Sequence, residues 1–139
     1  MKKREFIQKA SAIGALTITT GVTNLEANAQ QKYPTGKSQL VHQVYFWLKK
    51  DLTEAQIKTF ESGIRSLLKV KTMKYGAIGK PGATADRPVI EKSYSYSLLT
   101  IFDDVAGHDA YQVDPIHEQF LKDCKEMWEK VIVYDSTTF

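Results

Sequence analysis

A chain of 139 residues accommodates one domain of ordinary size once an N-terminal segment is set aside. Its 19 basic and 16 acidic side chains give a formal net charge of +3, and without residues 1–29, which hold four basic and two acidic groups, the charge is +1. No clustered basic stripe is left to bind nucleic acid, and the single cysteine, Cys124, excludes an internal disulfide.

The first 29 residues have the order of an export signal. Lys2-Lys3-Arg4 begins it, a weakly apolar run follows from Ala10 to Val22, and Ala27-Asn28-Ala29 supplies small residues at a cleavage site. The run is too short and too rich in Gly and Thr for a stable membrane anchor. It holds no cysteine for lipoprotein processing. Lys3-Arg4-Glu5-Phe6-Ile7 is similar to the core of a twin-arginine signal, with Lys in place of the first Arg. The expected destination is outside the cytoplasm, in the periplasm. Residues 30–38, which include Tyr33-Pro34-Thr35-Gly36, read as a flexible leader, and the folded domain is expected over 39–139.

From Leu40 the pattern has period two. Leu40, His42, Val44, Phe46 and Leu48 alternate with Val41, Gln43, Tyr45 and Trp47, which predicts a strand with large apolar groups on both faces. One face should meet the domain's own helices and the other a second subunit. A helix is expected from Thr53 to about Val70. Thr53 and Gln56 form a capping box, Leu52 and Ile57 a staple, and Ile57, Phe60, Ile64, Leu67 and Leu68 share one side. A weaker strand follows over 72–78, then a Gly- and Pro-rich loop, then a strand over 93–102. Tyr45, Trp47, Tyr94 and Tyr96 read as aromatics of the subunit interface.

A short helix is expected over 105–112. Asp114-Pro115 begins another, with Asp as N-cap and Pro at the first helical position, and Ile116, Phe120, Cys124, Met127 and Trp128 as its buried side. Val131–Tyr134 closes the series. The order β-α-β-β-α-β is the ferredoxin-like split pattern, an α+β fold. Two helices on one face leave the other face open for a homodimeric partner.

No Gly-rich phosphate loop, CxxC, His-Glu-x-x-His or Gly-x-Ser-x-Gly motif is present. The candidates for chemistry are His42, Tyr111 and His117. His117 falls at the third position of a helix, where the positive end of the helix dipole disfavours imidazolium and leaves a neutral general base. Tyr111 offers a hydroxyl to a carbonyl or enolate oxygen. His42 shares its strand face with Val44 and Phe46, so the three are expected to border an apolar cleft, with Phe60, Ile64 and Phe120 as further wall. Two imidazoles and the Asp114 carboxylate have the donors for a metal, but Asp114 is committed to the helix N-terminus, so no metal and no cofactor is expected. Cys124, inside an apolar helical pattern, reads as a buried inert thiol.

Val41-His42-Gln43-Val44-Tyr45-Phe46, the segment from Asp109 to Phe120 and the segment from Trp128 to Asp135 together resemble the stress-responsive dimeric α/β-barrel (Dabb) family. The resemblance spans essentially the whole expected domain and implies a dimeric barrel built from two ferredoxin-like sheets. Plant polyketide cyclases of that family use a His–Tyr pair for an intramolecular aldol condensation. The resemblance therefore implies His117 as base, Tyr111 as the orienting hydroxyl and His42 as pocket lining, with a small apolar or aromatic ligand. The family often has His-Pro-x-His where this chain has Asp114-Pro115-Ile116-His117. Two other readings belong beside cyclase- or lyase-like chemistry. One is a non-catalytic stress-protective or binding protein; the other is a cofactor-free quinol monooxygenase, by fold analogy alone.

Overall fold

A computed structural model describes residues 37–139; the expected signal, residues 1–29, and residues 30–36 of the leader lie outside the described residues. The elements are β1 (Leu40–Leu48), α1 (Glu54–Leu67), β2 (Met73–Gly79), β3 (Tyr96–Phe102), α2 (Val105–Gln112), α3 (Pro115–Cys124) and β4 (Trp128–Thr137). The sheet order is β2-β3-β1-β4. β3 lies antiparallel to both β1 and β2, so those two run the same way with β3 inserted between them. This is the ferredoxin-like α+β fold, with its second helix broken at Asp114-Pro115 into α2 and α3.

Local chemistry accounts for the helix starts. The Thr53 hydroxyl accepts from the Gln56 N–H at 3.2 Å, and the Gln56 side chain accepts from the Thr53 N–H at 2.9 Å. Both orphan donors at the start of α1 are thereby satisfied. Asp114 accepts from the Ile116 N–H at 2.8 Å, and Pro115 loses nothing at a position where its missing N–H has no helical partner.

The helix-facing side of β1 is buried at Leu40, His42, Val44 and Phe46, as its alternation requires. Phe46, Phe60 and Phe120 form an aromatic centre, with ring centroids 5.4–6.0 Å apart, beneath α1 and α3. The helices approach closely at Gly63, where an added Cβ would lie 3.0 Å from both Cys124 Sγ and Phe120 Cδ2. Cys124 is fully buried, and its thiol is pushed up to about 11, chiefly by that burial. It stays protonated at neutral pH.

Four expectations need correction. β3 begins at Tyr96 rather than Ser93, so Tyr94 lies before the strand and does not share its face with Tyr96. Tyr96 turns to the helix side, is buried, and donates its hydroxyl to Glu61 Oε1 at 2.6 Å; it is not an aromatic of the open face. α1 stops at Leu67, and the chain reaches Val70 through a turn. α3 ends at Cys124, although apolar spacing carries on through Met127 and Trp128. The Lys49 N–H donates to the Met127 carbonyl at 2.9 Å and draws that segment alongside β1, so Trp128 becomes the first residue of a ten-residue β4.

The opposite face of the sheet carries Gln43, Tyr45, Trp47, Ile132 and Tyr134, joined by Tyr94 and Lys130, around a concavity of about 460 Å³. Tyr94 packs edge-on against Tyr45 at 5.0 Å, and the Lys130 ammonium sits 4.2 Å from the centre of the Trp47 ring. No helix of the described residues is long and apolar enough to cross a membrane.

Candidate functional site

The break between α2 and α3 builds the site. Because Asp114 caps α3, His117 occupies the third helical position and its ring turns back beneath the end of α2. His117 Nδ1 lies 3.1 Å from the Gln112 carbonyl oxygen. A carbonyl only accepts, so Nδ1 carries the proton and Nε2 keeps its lone pair. Burial holds the imidazole below its ordinary value of 6.5, outweighing the Gln112 carbonyl, which acts in the other direction. The ring is therefore neutral at neutral pH, as expected, but desolvation is the chief cause.

Tyr111, the penultimate residue of α2, is 1% exposed and its ring lies 4.6 Å from that of His117, centroid to centroid. Burial alone raises its phenol far above the ordinary value of 10, so it remains a hydrogen-bond donor. His42 comes from β1, its ring 6.2 Å from Tyr111. Across the sheet it is in register with Asp135 of β4, and its Nδ1 meets Asp135 Oδ1 at 2.6 Å. Burial lowers the His42 imidazole, against the Asp135 hydrogen bond that raises it. The carboxylate accepts, which again puts the ring proton on Nδ1.

His42, Tyr111 and His117 border one cleft of about 220 Å³, together with Val44, Phe120 and Val133. Of the wall expected from sequence, Val44 and Phe120 lie there. Phe60 and Ile64 do not: both are wholly buried under α1, in the aromatic and aliphatic core beside the cleft. Their helical spacing identified a buried side, and only the packing separates core from wall. β4 contributes Val131 and Val133, which remain 42% and 45% exposed because no element covers that edge of the cleft.

Two residues at the site were not singled out from the sequence. The His108 ring of α2 lies 4.8 Å from that of His42, tilted to it, and 5.5 Å from that of Phe102, edge to face, and its Nε2 lies 2.9 Å from Gln112 Nε2. Its position three residues before Tyr111 puts it on the same side of α2, a spacing that was available to find it. Asp135 follows Val131 and Val133 at period two, and continuing the last strand to residue 135 would have set it opposite His42. Asp114 stays with the helix N-terminus, away from the donor set formed by His42, His108 and Asp135.

The arrangement offers a neutral imidazole base next to a protonated phenol, in a mostly apolar recess. A base of this kind removes a proton from a hydroxyl or from a carbon beside a carbonyl, and a phenol stabilises the oxygen on which charge builds.

Solved structures of the same fold include a dimeric ferredoxin-like protein of unknown function from Thermobifida fusca, 19% identical over 73% of this chain and 92% of that one, with a TM-score of 0.59. A Dabb family protein with a ferredoxin-like fold from Mesorhizobium loti is 21% identical over 74% of this chain and 99% of its own, also with a TM-score of 0.59. A hydroxynitrile lyase from Passiflora edulis is 20% identical over 73% and 94%, with a TM-score of 0.60. No curated protein matches the chain. The model of the stress responsive A/B barrel domain matches residues 40–138, from the first residue of β1 to just beyond β4, and the chain belongs to that family.

Proposed function

We propose that this protein binds a small apolar or aromatic carbonyl compound in the cleft beneath α2 and α3 and carries out acid–base chemistry on it. His117 Nε2 takes the proton, and the Tyr111 hydroxyl donates to the oxygen that gains charge. The same pair serves aldol-type ring closure or lyase-type cleavage, since both pass through an oxygen made more negative as a proton leaves. The observation that carries the reading is the Gln112 carbonyl on His117 Nδ1, which fixes the tautomer with Nε2 unprotonated beside a buried phenol. His42, Val44 and Phe120 are the binding wall. The cleft volume of 220 Å³ is below the roughly 300–1,000 Å³ of drug-sized sites, which restricts the ligand to about one ring and its substituents.

The working unit in this reading is a homodimer. Its support is the aromatic open face around Tyr45, Trp47, Tyr94 and Tyr134, together with the Thermobifida fusca neighbour, which is described as dimeric. Export of the chain after removal of residues 1–29 belongs to the same proposal. It rests on the charged, apolar and small-residue order of that segment.

The test is a panel of single-ring aromatic ketones, hydroxynitriles and short polyketide-like compounds, screened for binding and turnover with wild type, His117→Ala and Tyr111→Phe. A general base contributes about 10²–10⁴-fold, so His117→Ala should lower turnover by that factor while ligand still binds. Turnover equal to wild type in both variants would remove the proposal.

A further inference from the structure

We propose that His42, His108 and Asp135 form a site for one divalent first-row transition ion, of which Zn2+ is the probe. The three residues come from β1, α2 and β4, and each presents one ligand atom such that all three atoms lie within 4.8 Å of one another. Two imidazole nitrogens and one carboxylate oxygen are donors suited to Zn2+, Co2+ or Ni2+, and ill suited to Ca2+ or Mg2+, which take oxygen shells.

The distances are near those a bound ion needs. With metal–ligand bonds of about 2.0–2.1 Å, donor atoms around a tetrahedral ion stand about 3.3 Å apart. His42 Nδ1 and Asp135 Oδ1 are already at 2.6 Å, sharing a proton where the ion would sit. The ion takes the place of that proton, and the ring stays neutral by carrying its proton on Nε2 instead. The third ligand closes in by side-chain rotation of His108 over up to about 1.5 Å.

Surrounding contacts suit the role. His108 Nδ1 lies 3.5 Å from the Asp109 carboxylate and its Nε2 2.9 Å from the Gln112 amide nitrogen; an ion bound at one of these nitrogens displaces that neighbour, and the other neighbour sets the ring's orientation. His42 is anchored between β3 and β4 through its register with Thr100 and Asp135. The Asp135 side chain is 46% exposed and that of His108 15%, which leaves a route from solvent to the three donors. The set is separate from the His117–Tyr111 pair, although His42 borders both.

The experiment uses untagged, chelator-treated protein. Co2+ is titrated while its visible absorption is followed, and Zn2+ is then added in competition, with calorimetry for stoichiometry. One ion per protomer is expected, with Zn2+ bleaching the Co2+ band. Asp135→Asn keeps an acceptor for His42 Nδ1–H, so the fold survives while the charged ligand is lost; it should weaken Zn2+ at least tenfold, and so should His108→Gln. His117→Ala should bind Zn2+ as wild type does, so the result stands or fails independently of the acid–base reading. Absence of binding at micromolar Zn2+, or binding unchanged in both Asp135→Asn and His108→Gln, overturns the proposal. Loss of Zn2+ in His117→Ala overturns it as well, because the ligands would then be others.

Discussion

The layer between sheet and helices has two halves, each built around four rings of very different atoms. Under α1 and the end of α3, Phe46, Phe60, Phe120 and Trp128 interlock with centroid distances of 5.3–6.3 Å, and Ile64 and Cys124 seal the remainder. Under α2 and the start of α3, the rings are His42, His108, Tyr111 and His117, and a cleft stays open beside them. The first half gains from burial, and its three phenylalanines give up nothing in hydrogen bonding. The second buries nitrogen and oxygen, and each of its three imidazoles has a partner: Asp135 for His42, Gln112 for both His108 and His117. The mainly hydrocarbon half is solid core, and the half with titratable rings leaves a cleft open beside it.

The largest expected effect that separates the halves comes from Phe60→Ala. Removing a fully buried ring from the aromatic centre should cost about 3–5 kcal/mol of unfolding free energy in urea denaturation. Tyr111→Phe should cost far less stability, with its effect falling on turnover instead. If the two variants proved equally destabilised, the division of labour between the halves would collapse.

Gly63→Ala probes the tight side more gently. The new methyl group meets Cys124 Sγ and Phe120 Cδ2 at 3.0 Å, and such crowding costs about 1–3 kcal/mol. The gain in helix propensity offsets up to about 1 kcal/mol. A small net loss of stability is expected, with ligand binding retained; a rise in melting temperature would show that the helices have room to part.

The smallest effect is the pH dependence of the histidine half. Both His42 and His117 are held below 6.5 in the folded protein by burial, so at acid pH the unfolded chain binds protons that the folded chain refuses. Their contribution is complete above 6.5 and is lost as pH falls from there toward the folded values. Urea midpoints measured between about pH 7.5 and about pH 5.5 should drop on acidification, and His117→Gln should flatten the slope. A slope unchanged by that variant would mean that His117 titrates as it does in the open chain.

Much of the fold was legible because its signals are local. The alternation of Leu40, His42, Val44 and Phe46 set the faces of β1, Thr53 and Gln56 marked the start of α1, and Asp114-Pro115 fixed α3 and thereby the third-position place of His117. The contacts of the site were less legible because they depend on register and on the rotation of α2. Asp135 is 93 residues from His42 along the chain and meets it only through the pairing of the last strand with the first. Trp128 continued a helical spacing that the Lys49–Met127 backbone bond overrides. Phe60 and Ile64 had the right spacing for a wall and lie instead in solid core, because the cleft opens toward β4 rather than α1.

The pairing of the first strand with the last also makes the site a test of completeness. The wall at Val131 and Val133 and the carboxylate on His42 come from the last strand of the domain, so an emerging polypeptide has neither until that strand has left the ribosome and paired with its distant partner. Contacts of such long sequence separation form late and at high entropic cost. A chain halted before residue 131 would carry all three histidines and Tyr111 and yet offer a ligand no enclosed place to bind.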